Sequence, residues 1–286
     1  MSAERSLDAE EIRQALEAAR ARVESERRRE FVRFGIPDDC WWPCSRLFHR
    51  DSALGPAWQP ALSAAQVEQH TLNLDYKRYP DAPRIALPRA ADVRASLSST
   101  IRERRSTAAF TTTPVALAEL ATLLELGVGV TRRQEIPRRA APSGGALYPV
   151  ETYVFAFAVN ELATGLYHYV PVDGVLEQVR PLSDDSVAAA FLPPGLFAAR
   201  PGVMVALSAV FARTQMKYLE RGYRFALLEA GHMAQNLLLV ATALGLNAVP
   251  VGGFWDDPFN EALGLDATRE AVIYAVLFGH RASQTQ

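Results

Sequence analysis

Four short stretches carry residue types that do chemistry. Lys217 and Tyr218 stand side by side at the head of "MKYLERGYRFALLEAGHMAQNLLLVATALGL", just before a long helical pattern. Both side chains carry protons, and burial or neighbours can bring them toward neutral pH, where they act as acid or base. A solvated Lys beside a packing Tyr would look the same in sequence. "RERRSTAAF" (102–110) sets arginines and a hydroxyl at the end of a helix. Guanidinium forks grip phosphate oxygens in pairs, although basic residues also suit a helix C-terminus for macrodipole reasons. "APSGGALYPVE" (141–151) places Pro, Ser and two Gly before a strand. Backbone amides can approach a ligand closely there, or the chain simply turns. "VPVGGFWDD" (249–257) ends an apolar strand in a Gly pair, a place for open amides at a cofactor or for a bulge. Inside the long helix, Glu229, His232 and Asn236 form a polar stripe on an apolar cylinder. Buried polar groups need partners, so the stripe reads as a hydrogen-bond cluster in preference to a catalytic one.

These stretches need elements to hold them. Residues 1–30 read as a charged helix with a weak stripe of Ile12, Leu16, Ala19 and Val23. Residues 35–90 carry prolines at 37, 43, 56, 60, 80, 83 and 88, together with Trp41, Trp42 and Trp58. Proline removes amide donors and breaks regular elements, so this part reads as an irregular wrap. We therefore divide the chain into an extension, 1–90, and one domain, 91–286. Val93, Leu97 and Ile101 mark a helix face; Leu117, Leu120 and Leu124 mark a second helix starting near Pro114. "VETYVFAFAV" and "VMVALSAVF" read as strands, and Asp173-Gly174 between apolar runs signals a hairpin. From Tyr223, apolar residues recur with helical period, and Leu228, Leu239 and Val240 extend them to the far side. The helix is expected to be buried nearly all round. Further strands fall at about 247–251 and 271–278. Helices and strands do not alternate, so the class is α+β with a mostly antiparallel sheet.

The bulk properties exclude several functions. The chain has 286 residues, 49% of them hydrophobic, and a net charge of −2. A general nucleic-acid binder needs a basic surface. The two cysteines, Cys40 and Cys44, give no disulfide framework and fit a reducing compartment. With His49 they offer three candidate ligands where a structural zinc site needs four, so they read as ordinary thiols. No run reaches the ~20 apolar residues that span a bilayer, and the acidic N-terminus is no signal peptide. The expected location is cytoplasmic. There is no P-loop, GxGxxG, HExxH or GxSxG motif.

Taken in order, "RRSTAAF", "APSGGALYPVETYVF", "GLYHYVP", "MKYLERGYRFALLEAGHMAQNLLLVATALGL" and "VPVGGF" resemble the SagB-type dehydrogenases of the FMN-dependent nitroreductase superfamily. "FHRDSALGP" and "YKRYPDAPRIALP" resemble the same subgroup, and the likeness runs from about residue 45 to residue 280. It implies an α+β nitroreductase-like fold in a domain-entwined homodimer with two FMN sites at the subunit interface. Arg104, Arg105 and Ser106 would hold the phosphate and ribityl chain of FMN, with Arg281 assisting. Pro142, Ser143 and Gly144 would line the isoalloxazine from the partner subunit. Gly253 would aim its amide at flavin N5, with Gly252 beside it. Lys217-Tyr218 would be the acid/base pair with which azoline-oxidising members aromatise thiazoline or oxazoline rings. The hydride goes to the flavin and oxygen reoxidises it.

The substrate implied is an azoline-bearing peptide, delivered by a cyclodehydratase partner. One position departs from the family pattern RRSxRxF: its usual Arg or Lys, which faces the pyrimidine end of the flavin, is Ala108 here. Losing that cation removes a stabiliser of the anionic reduced flavin. Arg102, Arg221 and Arg224 are candidate substitutes. Two alternatives remain beside the oxidase: an NAD(P)H-dependent reductase of nitro compounds or quinones, and a non-catalytic scaffold subunit.

Overall fold

The computed structural model describes residues 43–54, 59–63, 65–66, 69, 76–182 and 185–281. The expected N-terminal helix and Cys40 lie outside them. The chain divides into two compact units, residues 1–58 and 59–286. In the first, the described part is one helix, α1 (Pro43–Asp51), on which Cys44 is exposed.

The second unit is built on a sheet. In chain order it runs β1 (Arg84–Ala86), α2 (Leu97–Glu103), α3 (Leu117–Val128), β2 (Val130–Arg132), β3 (Arg138–Arg139) and β4 (Val150–Ala156). Then come β5 (Gly165–Val170), β6 (Val175–Pro181), α4 (Pro194–Phe197), β7 (Val203–Val210) and α5 (Ala212–Tyr218). The long helix α6 (Glu220–Ala243), β8 (Leu246–Val251), α7 (Asp256–Leu263) and β9 (Glu270–His280) complete it. Seven strands lie in the order β1-β6-β5-β4-β7-β9-β8, every pair antiparallel. Strands β2 and β3 form a separate small ribbon. The β5–β6 hairpin closes where Asp173-Gly174 predicts it, with Gly174 at φ +67°. Strand β1 lies in the stretch expected to be irregular; it is three residues long, too short for alternation to signal it.

Every residue of β4 is buried, because both faces of the sheet are covered. Val150, Val154, Val203, Val205 and Leu207 face the cluster that holds Leu120, Leu124, Met233 and Leu237 of α3 and α6. Tyr153, Phe155, Met204, Ala206 and Leu277 face the other way, against Phe191 and Phe259, whose rings stack at 4.0 Å. That second face changes character along its length. Its far end is apolar; the end near Val150 carries Glu151, His168, Glu177, Ser208 and Glu270.

One expectation about burial is corrected. Helix α6 is not buried all round: Leu228 is 58% exposed, and Leu227, Gly231, His232 and Gln235 share the open side. On α2 the i, i+4 pair Leu97 and Ile101 faces outward at 68% and 55% exposure, while the helix turns Thr100 into the core.

Candidate functional site

The Lys217-Tyr218 pair closes α5, the short helix that leaves β7. Its direction is fixed at both ends. Arg213 donates from Nη1 to the Glu151 carboxylate at 2.5 Å and to the Tyr148 carbonyl at 3.1 Å. At the other end, Leu219 adopts φ +51°, ψ −137°, a sparsely populated region for a non-glycine residue, and the chain turns into α6. Thr214 donates to the Gly222 carbonyl at 3.1 Å across this corner. Gly222 is required there, since a Cβ would lie 2.7 Å from the backbone of Thr214 and Gln215. The Lys217 carbonyl accepts the Ala61 amide at 3.0 Å, which ties the segment 59–63 to the same helix.

Both side-chain tips converge on the 142–145 loop. A Cβ added to Gly145 would meet Tyr218 Oη at 3.0 Å and Lys217 Nζ at 3.1 Å. One added to Gly144 would meet Phe225 at 3.3 Å and the Tyr218 ring at 3.6 Å. Lys217 Nζ stands 4.9 Å from the centre of the Tyr218 ring, and Phe225 packs edge-on against that ring. The acid/base candidates and the loop candidates therefore share one place within a single chain.

The polar end of the sheet lies behind this place. Glu151 is buried between Arg213 and His168, whose Nε2 is 3.0 Å away; His168 Nδ1 is 3.4 Å from Glu177. Burial opposes ionisation of Glu151, but the His168 hydrogen bond and the Arg213 charge outweigh it and hold the carboxyl at about 2. Glu270 accepts from Lys77 at 2.6 Å, Ser208 at 2.6 Å and Tyr153 at 3.2 Å. Tyr79 donates its amide to Glu177 at 2.9 Å and shares a hydrogen bond with Tyr153. The "YKRY" segment thus covers the acidic end of the sheet and neutralises it.

A second group of predicted residues gathers along β8, the edge strand. Ser106 bridges to Ala248, and the Thr107 amide donates to the Ala248 carbonyl at 3.0 Å. Beside it a cleft of about 550 Å³ is lined by Arg102, Arg105 and Arg281, with Thr107 and Asn247. Arg104 turns to Ser106, donating to its hydroxyl at 3.2 Å. Arg105 donates to the carbonyls of Arg102 and Arg104, so it also caps the end of α2 in the way the macrodipole favours. Gly252 and Gly253 follow β8 directly. A Cβ on Gly253 would meet nothing within 4 Å, and one on Gly252 only Tyr274 at 3.7 Å, so this backbone edge is open. Guanidinium groups at one end of an edge strand and an open glycine edge at the other suit a long anionic, planar cofactor such as FMN.

Strands β7 and β9 stand between β4 and β8, which puts roughly 14 Å between those strands at the usual spacing.

Sequence reasoning missed Arg213, Glu151, His168, Arg139 and Gly222. It saw Glu229 only as part of a stripe. That stripe does not form one cluster: Glu229 is buried, His232 faces solvent, and Asn236 donates to the Gly127 carbonyl at 3.3 Å.

Comparison with known proteins agrees with this architecture. The Nitroreductase family matches residues 101–280, well over half of the chain, and the protein belongs to that family. MJ1384 of Methanocaldococcus jannaschii, by name a candidate nitroreductase, is 35% identical over 186 residues, 64% of this chain and 90% of its own. The microcin B17-processing protein McbC of Escherichia coli is 33% identical over 147 residues, 50% of this chain and 54% of McbC. Among solved structures, the E. coli microcin synthetase McbBCD complex with truncated pro-MccB17 bound aligns with a TM-score of 0.59 at 25% identity. That alignment covers 84% of this chain and 92% of the matched one. The SagB-type resemblance in the sequence agrees with the likeness to McbC.

Proposed function

We propose that this protein is an FMN-dependent dehydrogenase that oxidises thiazoline or oxazoline rings in a modified peptide to thiazoles or oxazoles. The observation that carries the reading is the convergence of Lys217 Nζ and Tyr218 Oη on the Gly144-Gly145 turn. A nitro- or quinone-reductase needs no base at that point. Aromatising an azoline removes a proton from one ring carbon and a hydride from its neighbour. FMN, when bound, supplies the acceptor for the hydride and passes the electrons to oxygen. The protein supplies the rest. Arg104, Arg105, Ser106 and Arg281 would hold the cofactor's phosphate end, and Gly252 and Gly253 would offer their open backbone to it. Pro142, Ser143 and Gly144 of the partner copy would line its ring. Lys217 is the group that takes the ring proton. Tyr218 positions the amine and hydrogen-bonds the substrate heteroatom.

The reading includes a homodimer. Two strands stand between the loop at β4 and the edge at β8, and in this reading a second copy brings its own 142–145 loop to the β8 edge. The outward Leu97, Ile101 and Leu228 supply apolar surface for that association. McbC is a peptide-processing protein by name, and the structure similar to this chain is a synthetase complex with its precursor peptide. By analogy, this protein takes its substrate from a cyclodehydratase partner.

The test is anaerobic. The FMN-loaded protein is mixed with an azoline-bearing peptide and its visible spectrum recorded. Bleaching in the wild type and none in Lys217→Ala is the expected result. Bleaching by NADPH alone overturns the oxidase reading in favour of the reductase. A protein that binds no FMN overturns it in favour of the scaffold.

A further inference from the structure

The chemistry above gives no task to the buried histidine of β5. His168 is 1% exposed, and sheet register sets its place. It stands directly opposite Glu177 of β6 and Tyr153 of β4, and Glu151 lies two residues before Tyr153, on the same face. Its Nε2 is 3.0 Å from Glu151 Oε2, and its Nδ1 is 3.4 Å from Glu177 Oε2. The rings of Tyr79 and Tyr153 close its two sides at 5.4 and 5.3 Å. The Glu151 carboxylate is ionised beside Arg213 and can only accept, so Nε2 carries the proton of their bond. The other Glu151 oxygen, Oε1, takes Arg213 Nη1 at 2.5 Å, and the same Nη1 reaches the Tyr148 carbonyl at 3.1 Å. Arg213 sits on α5 one helical turn before Lys217. Tyr148 ends the strained turn on which the Lys217 and Tyr218 tips converge: Gly145, Ala146 and Tyr148 have φ of +67°, +56° and +43°. Non-glycine residues keep such backbone only where the surroundings over-determine it.

We infer that His168 is a positioning residue: its Nε2–H bond fixes Glu151 on Arg213, and Arg213 sets both the helix that carries Lys217-Tyr218 and the turn that the pair meets. The inference rests on the acid/base role proposed for that pair. Nη1 of Arg213 is shared between Glu151 and the Tyr148 carbonyl, so this contact does not by itself fix the plane of the carboxylate. A second bond at Oε2 does, and His168 supplies it. The boxed ring cannot follow a swinging carboxylate, so Oε1 is aimed in one direction. The ring also reaches the other way. Glu177 Oε2, which faces Nδ1, accepts the Tyr79 amide at 2.9 Å. Tyr79 belongs to the Pro-rich extension of the sequence, so His168 couples that extension to the acid/base helix.

Two variants separate the bond from packing. Counted in bonds from the backbone, a glutamine amide nitrogen stands where Nε2 does and an asparagine amide nitrogen where Nδ1 does. His168→Gln therefore keeps a donor for Glu151, and His168→Asn does not. The first readout needs neither flavin nor substrate, so its failure is distinct from failure of the oxidase reading. The chain has two lysines, Lys77 and Lys217. Acetylation of their amines by acetic anhydride is timed by peptide mass spectrometry in the flavin-free protein. Lys217 should label about tenfold faster in His168→Asn than in the wild type, since losing one charge-assisted bond raises local opening by about that factor. In His168→Gln it should label at the wild-type rate. Lys77, held by Glu270 at 2.6 Å, should label alike in all three proteins. With FMN loaded, kcat for azoline oxidation should fall about tenfold in His168→Asn, with KM unchanged, and recover in His168→Gln. Should His168→Asn fail to fold, NMR of the wild type decides: an Nε2-bound proton in contact with the Tyr79 and Tyr153 rings must exchange slowly with water. Equal labelling of Lys217 in all three proteins, faster labelling of both lysines, no recovery in His168→Gln, or no such proton overturns the inference. If the labelling follows the expected pattern and the wild type oxidises no azoline, the oxidase reading falls and the hold on Lys217 stands.

Discussion

Replacing Gly145 by Ala separates loop strain from the geometry of the Lys217-Tyr218 pair. Gly145 sits at φ +67°, ψ 14°, in the left-handed region. An L-residue there costs about 1–2 kcal/mol. The added methyl would stand 3.0 Å from Tyr218 Oη and 3.1 Å from Lys217 Nζ, against a comfortable contact of roughly 3.5 Å. Both obstructing atoms are the far ends of flexible side chains, so they yield and the backbone does not. Each tip must retreat by several tenths of an ångström. A misplacement of 1 Å at a reacting group costs on the order of 10²-fold in rate, so about half that displacement predicts roughly tenfold in turnover. The arginines proposed for the phosphate end are untouched, so FMN should still bind, with any loss of affinity confined to the contacts of the 142–145 loop. Thermal unfolding should fall by about 2–6 °C for a domain of this size, from the backbone strain alone. The assay is steady-state azoline oxidation with the FMN-loaded protein, run beside a melt and an FMN titration. A protein that melts earlier but turns over at the wild-type rate would refute the reasoning, because the displaced tips would then have no part in the chemistry.

Three further outcomes follow from the same geometry. Arg213→Met leaves the Glu151 carboxylate buried with only His168 for company; losing one partner of such a pair costs about 3–5 kcal/mol, read as a drop in the urea midpoint, and a neutral result would mean that water enters the site. Glu229 works in the opposite sense on stability: its folded value, about 7, lies above its ordinary 4.5, so stability is full below 4.5 and is lost as pH rises through about 7. The loss is about 3 kcal/mol, and Glu229→Gln should escape it, so the two proteins should diverge in denaturant titrations between those pH values. Arg281→Ala removes a guanidinium from the β8 cleft and should weaken FMN binding by about 10- to 100-fold, seen as flavin release on gel filtration; unchanged retention would move the phosphate elsewhere.

What the sequence made legible is what depends on neighbours along the chain. Val150–Ala156 and Val203–Val210 are strands because their β-branched and aromatic runs suit burial on two faces, and Asp173-Gly174 supplies its own turn. The glycine and arginine motifs could be found because ligand-facing backbone and phosphate contacts demand particular residues. The network behind the site could not be read this way. Glu151 lies beside Ser208 and near His168 only through the register of β4 with β7 and β5, and no local pattern sets that register. The stripe on α6 failed for a related reason. Three polar residues at helical spacing predict a shared face, but the packing of α6 buries Glu229 and leaves His232 in solvent. Leu97 and Ile101 show the converse, since an apolar pair on a helix fixes that it has a face but not what covers it.

The distribution of buried charge across the sheet has a consequence for how the site is kept rigid. The apolar end of the second face, with Phe155, Phe191 and Phe259, gains stability from burial alone. At the other end the protein buries Glu151, His168 and Glu177 and covers Glu270 almost completely, although well-packed apolar residues there would cost less. Those groups all act on the neighbourhood of one short helix and one strained turn. Arg213 ties α5 to Glu151 and to the Tyr148 carbonyl of the turn, and Lys77 and Tyr79 close the acidic end from outside. Directional bonds fix orientation, which apolar contact cannot do. Lys217 and Tyr218 thus owe their meeting point to charges that the fold alone does not need.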